Sequence, residues 1–119
     1  MALVNPQDRV LHMKVGDLAP ALKIKLYDES TDPVTVFNLT PYTGKFYLAL
    51  LSDKSQIKVN GSAVTITSAV NGEAEYQWTA GDTNTAGTYC WEFRFTTGGK
   101  TFSVPLVSPG TLIIESHIA

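Results

Sequence analysis

The sequence predicts an all-β fold, a sandwich or small barrel, and three observations carry that prediction. Apolar residues recur at period two along most of the chain, and no segment sustains the i, i+3, i+4, i+7 spacing of a helix beyond a turn or so. Turn signals rich in Gly, Asn, Asp and Pro separate the alternating runs, leaving no room for the helices that a parallel sheet needs between its strands. Thr88 to Thr96 places Tyr89, Trp91, Phe93 and Phe95 on one face of a strand and Cys90, Glu92 and Arg94 on the other. Burying that aromatic set, at roughly 25 cal/mol per Å², is worth on the order of several kcal/mol, so the row is read as core and not as a ligand platform.

The elements follow in order. Residues 1–18 read as an arm or added edge strand: Val10 to Val15 alternates, while Asn5, Pro6, Gln7 and Asp8 favour irregular chain. Residues 19–119 read as one β domain. Leu22, Ile24 and Leu26 alternate with Lys23, Lys25 and Tyr27 in a half-buried strand that closes at Asp28 to Pro33, and Val34 to Leu39 returns beside it. From Lys45 to Ser52, Phe46, Leu48 and Leu50 share one face, but Tyr47, Ala49 and Leu51 make the other apolar too, so this strand is central or meets a partner. Ile57 to Val59 and Val64 to Thr67 flank Asn60-Gly61, the dipeptide suited to a type I′ turn, and predict a hairpin there. Ala74, Tyr76 and Trp78 oppose Glu73, Glu75 and Gln77 in an amphipathic strand. Gly98-Gly99 predicts a second hairpin between the aromatic row and Thr101 to Pro105, where Pro105 ends or edges the sheet. Leu112 to Ile114 form the last strand.

Composition excludes several classes. With 119 residues, 44% hydrophobic and 17% charged, the chain is long and apolar enough for one core without staples. A net charge of −2 with scattered lysines offers no basic field, so neither nucleic acid nor a membrane is an expected partner. Cys90 is the only cysteine, which rules out an internal disulfide and points to a reducing compartment at synthesis. The first residues lack the charged-then-apolar order of a secretory signal, so synthesis in the cytoplasm is expected, and Asn38-Leu39-Thr40 and Asn60-Gly61-Ser62 read as turns and not as glycosylation sites.

No catalytic, cofactor or metal constellation is legible, and the chain is not read as an enzyme. His12 and His117 lie near opposite ends, Cys90 has no histidine near it in sequence, and Glu73 and Glu75 belong to a solvated strand face. Asp28, Glu29, Asp32 and Asp82 sit in turns, where backbone capping accounts for them better than calcium. The order Asp82, Gly87, Tyr89 resembles a tyrosine corner, in which a Tyr hydroxyl bonds to backbone upstream and pins the loop.

Beyond these physical signals, the order LKIKLYD, PVTVFNLTPYTGKFYLAL, NGEAEYQW and DTNTAGTYCWEFRFTTGGKTFSVP resembles the immunoglobulin-like β-sandwich at the N-terminus of tailed-phage baseplate upper proteins and related tail and fibre proteins. Pro33, Val34, Leu39, Thr40 and Gly44 match the first family phrase loosely, with Pro41-Tyr42-Thr43 inserted before the glycine. Gly72, Tyr76, Trp78, Asp82, Thr83, Ala86, Gly87, Tyr89, Glu92, Phe93, Thr96, Gly99, Lys100 and Pro105 match the later phrases well. The resemblance implies an immunoglobulin-like antiparallel β-sandwich with an N-terminal arm. It also implies a bacteriophage virion structural protein: a tail or baseplate accessory, adaptor or capsid decoration that binds other virion proteins and forms a homo-oligomer. Expected interface residues are Leu3, Val4, Val10, Leu11 and Met13 on the arm and Tyr47 and Leu51 on the apolar outer side. The alternative is a carbohydrate-binding module for host recognition, with Tyr27 and Tyr42 as glycan contacts.

Overall fold

A computed structural model describes residues 4–6, 10–19, 21–28, 30, 33, 35–104 and 110–116. Every regular element among them is a strand: β1 Val4–Pro6, β2 Val10–Lys14, β3 Leu22–Asp28, β4 Thr35–Val36, β5 Thr43–Leu50, β6 Ile57–Ser68, β7 Glu73–Tyr76, β8 Gly87–Thr97, β9 Lys100–Val104 and β10 Gly110–Glu115. The strands join in one path, β1-β3-β7-β6-β5-β8-β10-β2, with β4 added to β3 and β9 added to β8. Neighbours are antiparallel except β10 and β2, which run parallel from Thr111↔Val10 to Glu115↔Lys14. The fold is therefore all-β, a curled sheet around one core.

The curl is produced by β6. Through Val64 it pairs with β5, and from Thr65 onward it pairs with β7. Because β6 stands between them in the path, β5 and β7 touch only if the sheet bends across it, and they do: Phe46 stacks on Tyr76 with ring centroids 4.3 Å apart. Period-two alternation turns one face of each strand into the enclosed space. Leu22, Ile24 and Leu26 of β3, Phe46 and Leu48 of β5, Ala74 and Tyr76 of β7 and Leu112 and Ile114 of β10 are all buried there, together with Trp78. The row predicted as core is at its centre, with Tyr89, Trp91, Phe93 and Phe95 each no more than 3% exposed.

Two expectations are corrected: Asn5 and Pro6, read as irregular chain, lie in β1 paired with β3, and the hairpin at Asn60-Gly61 does not form. Asn60-Gly61 does not turn the chain; Ile57–Ser68 is a single strand, and both halves of the supposed hairpin pair with other strands instead of each other. Phe46 faces Ser62 and Tyr47 faces Asn60, leaving Gly61 as the extra residue of a β-bulge. A type I′ turn needs positive φ at both central residues, whereas here only Gly61 has it, at +82°. The physical reason is partner choice: a hairpin at that point would leave β5, apolar on both faces, without a neighbour on this side. The Gly98-Gly99 turn does form as predicted, with φ of 51° and 82° and Thr97 facing Lys100 across it. Pro105, Val34, Glu29, Asp32 and His117 lie outside the described residues.

The connection from β7 to β8 is fixed by polar bonds. Asp82, only 8% exposed, accepts from the Tyr76 hydroxyl at 2.6 Å, the Thr79 amide at 2.9 Å and the Thr79 hydroxyl at 3.1 Å. A buried carboxylate is tolerated because one of its oxygens, Oδ2, takes all three of these bonds. The Tyr89 hydroxyl donates to the Thr85 carbonyl at 2.9 Å, the bond expected of a tyrosine corner. Thr83 ties the same loop to the end of β2, donating to the Asp17 carbonyl while its own carbonyl accepts from the Gly16 amide.

Candidate functional site

The side chains left outside the core assemble a surface across β6, β5, β8, β10 and β2. Strand register places Ile57, Ala49, Cys90, Thr111 and Val10 in one lateral row, each the partner of the next. The row's centre is small, whereas its ends are large and exposed, Ile57 at 53% and Val10 at 59%. Leu51, 44% exposed, lies just past β5, its amide donating to the Thr88 carbonyl at 3.0 Å. On the other side of the row stand Asn60, Tyr47 and Glu92, and beyond them Ala63, Lys45 and Arg94.

The bulge positions this second layer. A side chain at position 61 would meet the Tyr47 hydroxyl, so glycine leaves the space in which the Tyr47 ring lies. The Arg94 guanidinium stacks over that ring at 4.4 Å, its Nη1 donating to the Tyr47 hydroxyl at 3.4 Å and its Nη2 to Glu92 at 3.0 Å. Together with Lys54 from the β5–β6 loop these residues bound an open groove of about 510 Å³, with Ala49, Cys90 and Ile57 among its lining. That volume falls within the range of sites that accept a small molecule or a few side chains.

The predicted interface residues divide. Val10, Tyr47 and Leu51 belong to this outer surface, Tyr47 half-buried under Arg94. Leu11 and Met13 turn the other way and pack against the core, so they also anchor the strand that carries Val10. Val4 lies in β1, whose register with β3 pairs it to Asp28; Leu3 lies outside the described residues. Of the two glycan candidates, Tyr27 is half-buried on β3, and Tyr42 packs with Phe37 and Phe102, edge-on to Phe102 at 5.1 Å.

Ile57, Lys54, Lys45 and Arg94 were not singled out from sequence. Arg94 was assigned to the outer face of its strand, and pairing that strand with Lys45 to Ser52 would have placed it beside Tyr47. For Lys54 no sequence signal exists, since a loop lysine carries no periodicity. Among the described residues no group of three or more His, Cys, Asp or Glu is placed to hold a metal ion. Compared with protein-family models and with curated proteins, the chain matches none.

Proposed function

We propose that the protein is a structural component of a bacteriophage virion, a non-catalytic module that joins other virion proteins through the outer surface of β6, β5, β8, β10 and β2. The observation that carries the reading is the lateral row from Ile57 to Val10: exposed apolar side chains flank a small-residue centre on a five-strand face. An exposed apolar row of this kind suits protein contact. The resemblance of Leu22 to Pro105 to baseplate-type domains supplies the phage setting, and the Tyr89 to Thr85 bond supports the immunoglobulin-like sandwich within the all-β fold. Among the described residues β2 ends the strand path, and its outer edge offers a second means of attachment, by addition of a strand from a neighbouring copy or another virion protein.

The glycan reading has less support. A sugar platform needs exposed rings lying side by side, whereas the Tyr42 ring stands at 79° to Phe102 and is half-buried against it. The test is labelled-antibody imaging of purified intact particles. Regular labelling at one position, weakened when Val10→Glu and Ile57→Glu are introduced together, is the expected result. Particles that assemble and stain nowhere, although the chain is abundant in the infected cell, would reject the reading.

A further inference from the structure

The outer surface carries a charge pattern that a plain apolar contact does not need. Lys45 and Arg94 stand directly opposite on β5 and β8, and like charges in that position destabilise a sheet. Glu92 offsets Arg94, but Lys45 and Lys54 meet no ion-pair partner among the described residues. Lys54, Arg94 and Glu92 line the groove itself, so its lining carries a net positive charge in a chain whose net charge is −2, and Lys45 stands exposed beyond it. Arg94 is also prepositioned: stacking on Tyr47 and the bond to Glu92 fix its plane, and much of the group stays in solvent, at 42% exposure. The apolar lining beside it, Ala49, Cys90 and Ile57, provides a place for a small side chain.

Size decides between occupants. Five strands about 4.8 Å apart, over roughly six residues of strand, present a face of roughly 400 Å² in projection. A stable pair of globular proteins needs about 800 Å² from each partner, so this face serves a globular partner only as part of a larger contact. A single extended segment fits the groove. We propose that this groove binds an acidic, extended polypeptide segment of a partner protein, its carboxylates meeting Lys54 and Arg94 and a small apolar side chain seated over Ala49 and Cys90. This inference rests on the assembly reading for its partner class, but its test does not depend on any particle.

The probe is a bead-displayed random heptapeptide library incubated with the purified full chain, followed by anisotropy titration of the best labelled peptide. Expected are sequences enriched in Asp or Glu next to Ala or Val, and binding that weakens as ionic strength rises. Replacing Lys54→Gln and Arg94→Gln together should weaken that peptide about tenfold, with the denaturation midpoint unchanged. Lys54→Gln alone, in an exposed loop, keeps the test valid if the double variant folds poorly, and should weaken binding about threefold. No enriched sequence, enrichment of basic or wholly apolar sequences, binding indifferent to these variants, or stronger binding of a polyuronate or single-stranded DNA than of any peptide would overturn it. If particles label but no acidic peptide is selected, the groove proposal alone fails. If acidic peptides bind but particles carry no chain, the virion reading alone fails.

Discussion

The inward and outward side chains of β8 alternate along one strand yet meet opposite constraints. Trp91 is enclosed on every side: its indole donates to the Thr111 carbonyl at 3.2 Å, stands perpendicular to Phe93 at 5.6 Å, and lies where a side chain on Gly110 would collide with it. Arg94 and Glu92 are held by one another and by Tyr47, with solvent over the rest. The inner face therefore specifies shape, and the outer face is free to specify charge. A strand with one dry face spends that face on stability and leaves the other to selection for contact.

The largest expected effect comes from breaking the inner face. Trp91→Ala should cost about 3–5 kcal/mol, since nothing can collapse into a space bounded by β5 and β10. Urea unfolding followed by Tyr fluorescence measures it, and a loss below about 1 kcal/mol would mean the row is not the centre of the core.

Next is the loop that leads into β8. Asp82→Ala leaves the Tyr76 hydroxyl and the Thr79 amide without their acceptor and should cost about 1–3 kcal/mol. The same pair sets a pH limit. Burial first, then the Asp82 bond and charge, push the Tyr76 phenol up to about 12. The folded state thus favours the protonated phenol, so its contribution is intact below pH ~10, the unfolded value, and disappears as pH rises towards ~12. Burial raises the Tyr89 phenol too, so its contribution is likewise lost at alkaline pH. Unfolding curves at rising pH should show this loss, and Tyr76→Phe should reduce its steepness.

A smaller change separates packing from pinning. Tyr89→Phe keeps the ring and deletes only the bond to Thr85, so about 0.5–1.5 kcal/mol is expected, together with faster amide exchange in the loop before β8.

The smallest effect belongs to the outer face. Lys45→Gln removes one member of a like-charged cross-strand pair and should leave stability within about 0.5 kcal/mol of the parent, or raise it. A clear destabilisation there would erase the distinction between the two faces.

How much of this was legible follows from the range of the forces involved. Tyr89 to Phe95 and Ala74 to Trp78 could be assigned a face from sequence because a strand with one buried side writes its period directly into residue order. Gly98-Gly99 was legible because its hairpin closes locally. Asn60-Gly61 carries the same local signal but became a bulge, because the decision was made by β5, which lies earlier in the chain and needed a neighbour. The pairing of β2 with β10, about a hundred residues apart, left no trace that periodicity could reveal beyond the alternation of Leu11 and Met13. The groove was least legible, since Tyr47, Lys54 and Arg94 meet only after three segments have taken their register.

That parallel pairing also has a mechanical meaning. Because β2 and β10 run the same way, a chain gripped before Val10 and after Glu115 is pulled from opposite ends of the two strands. Tension then acts along the strands and loads the whole ladder in shear, so its hydrogen bonds must fail together instead of opening one by one. Held at those two points, the pair resists extension more strongly than a hairpin peeled from its open end, because no single bond can open ahead of the others.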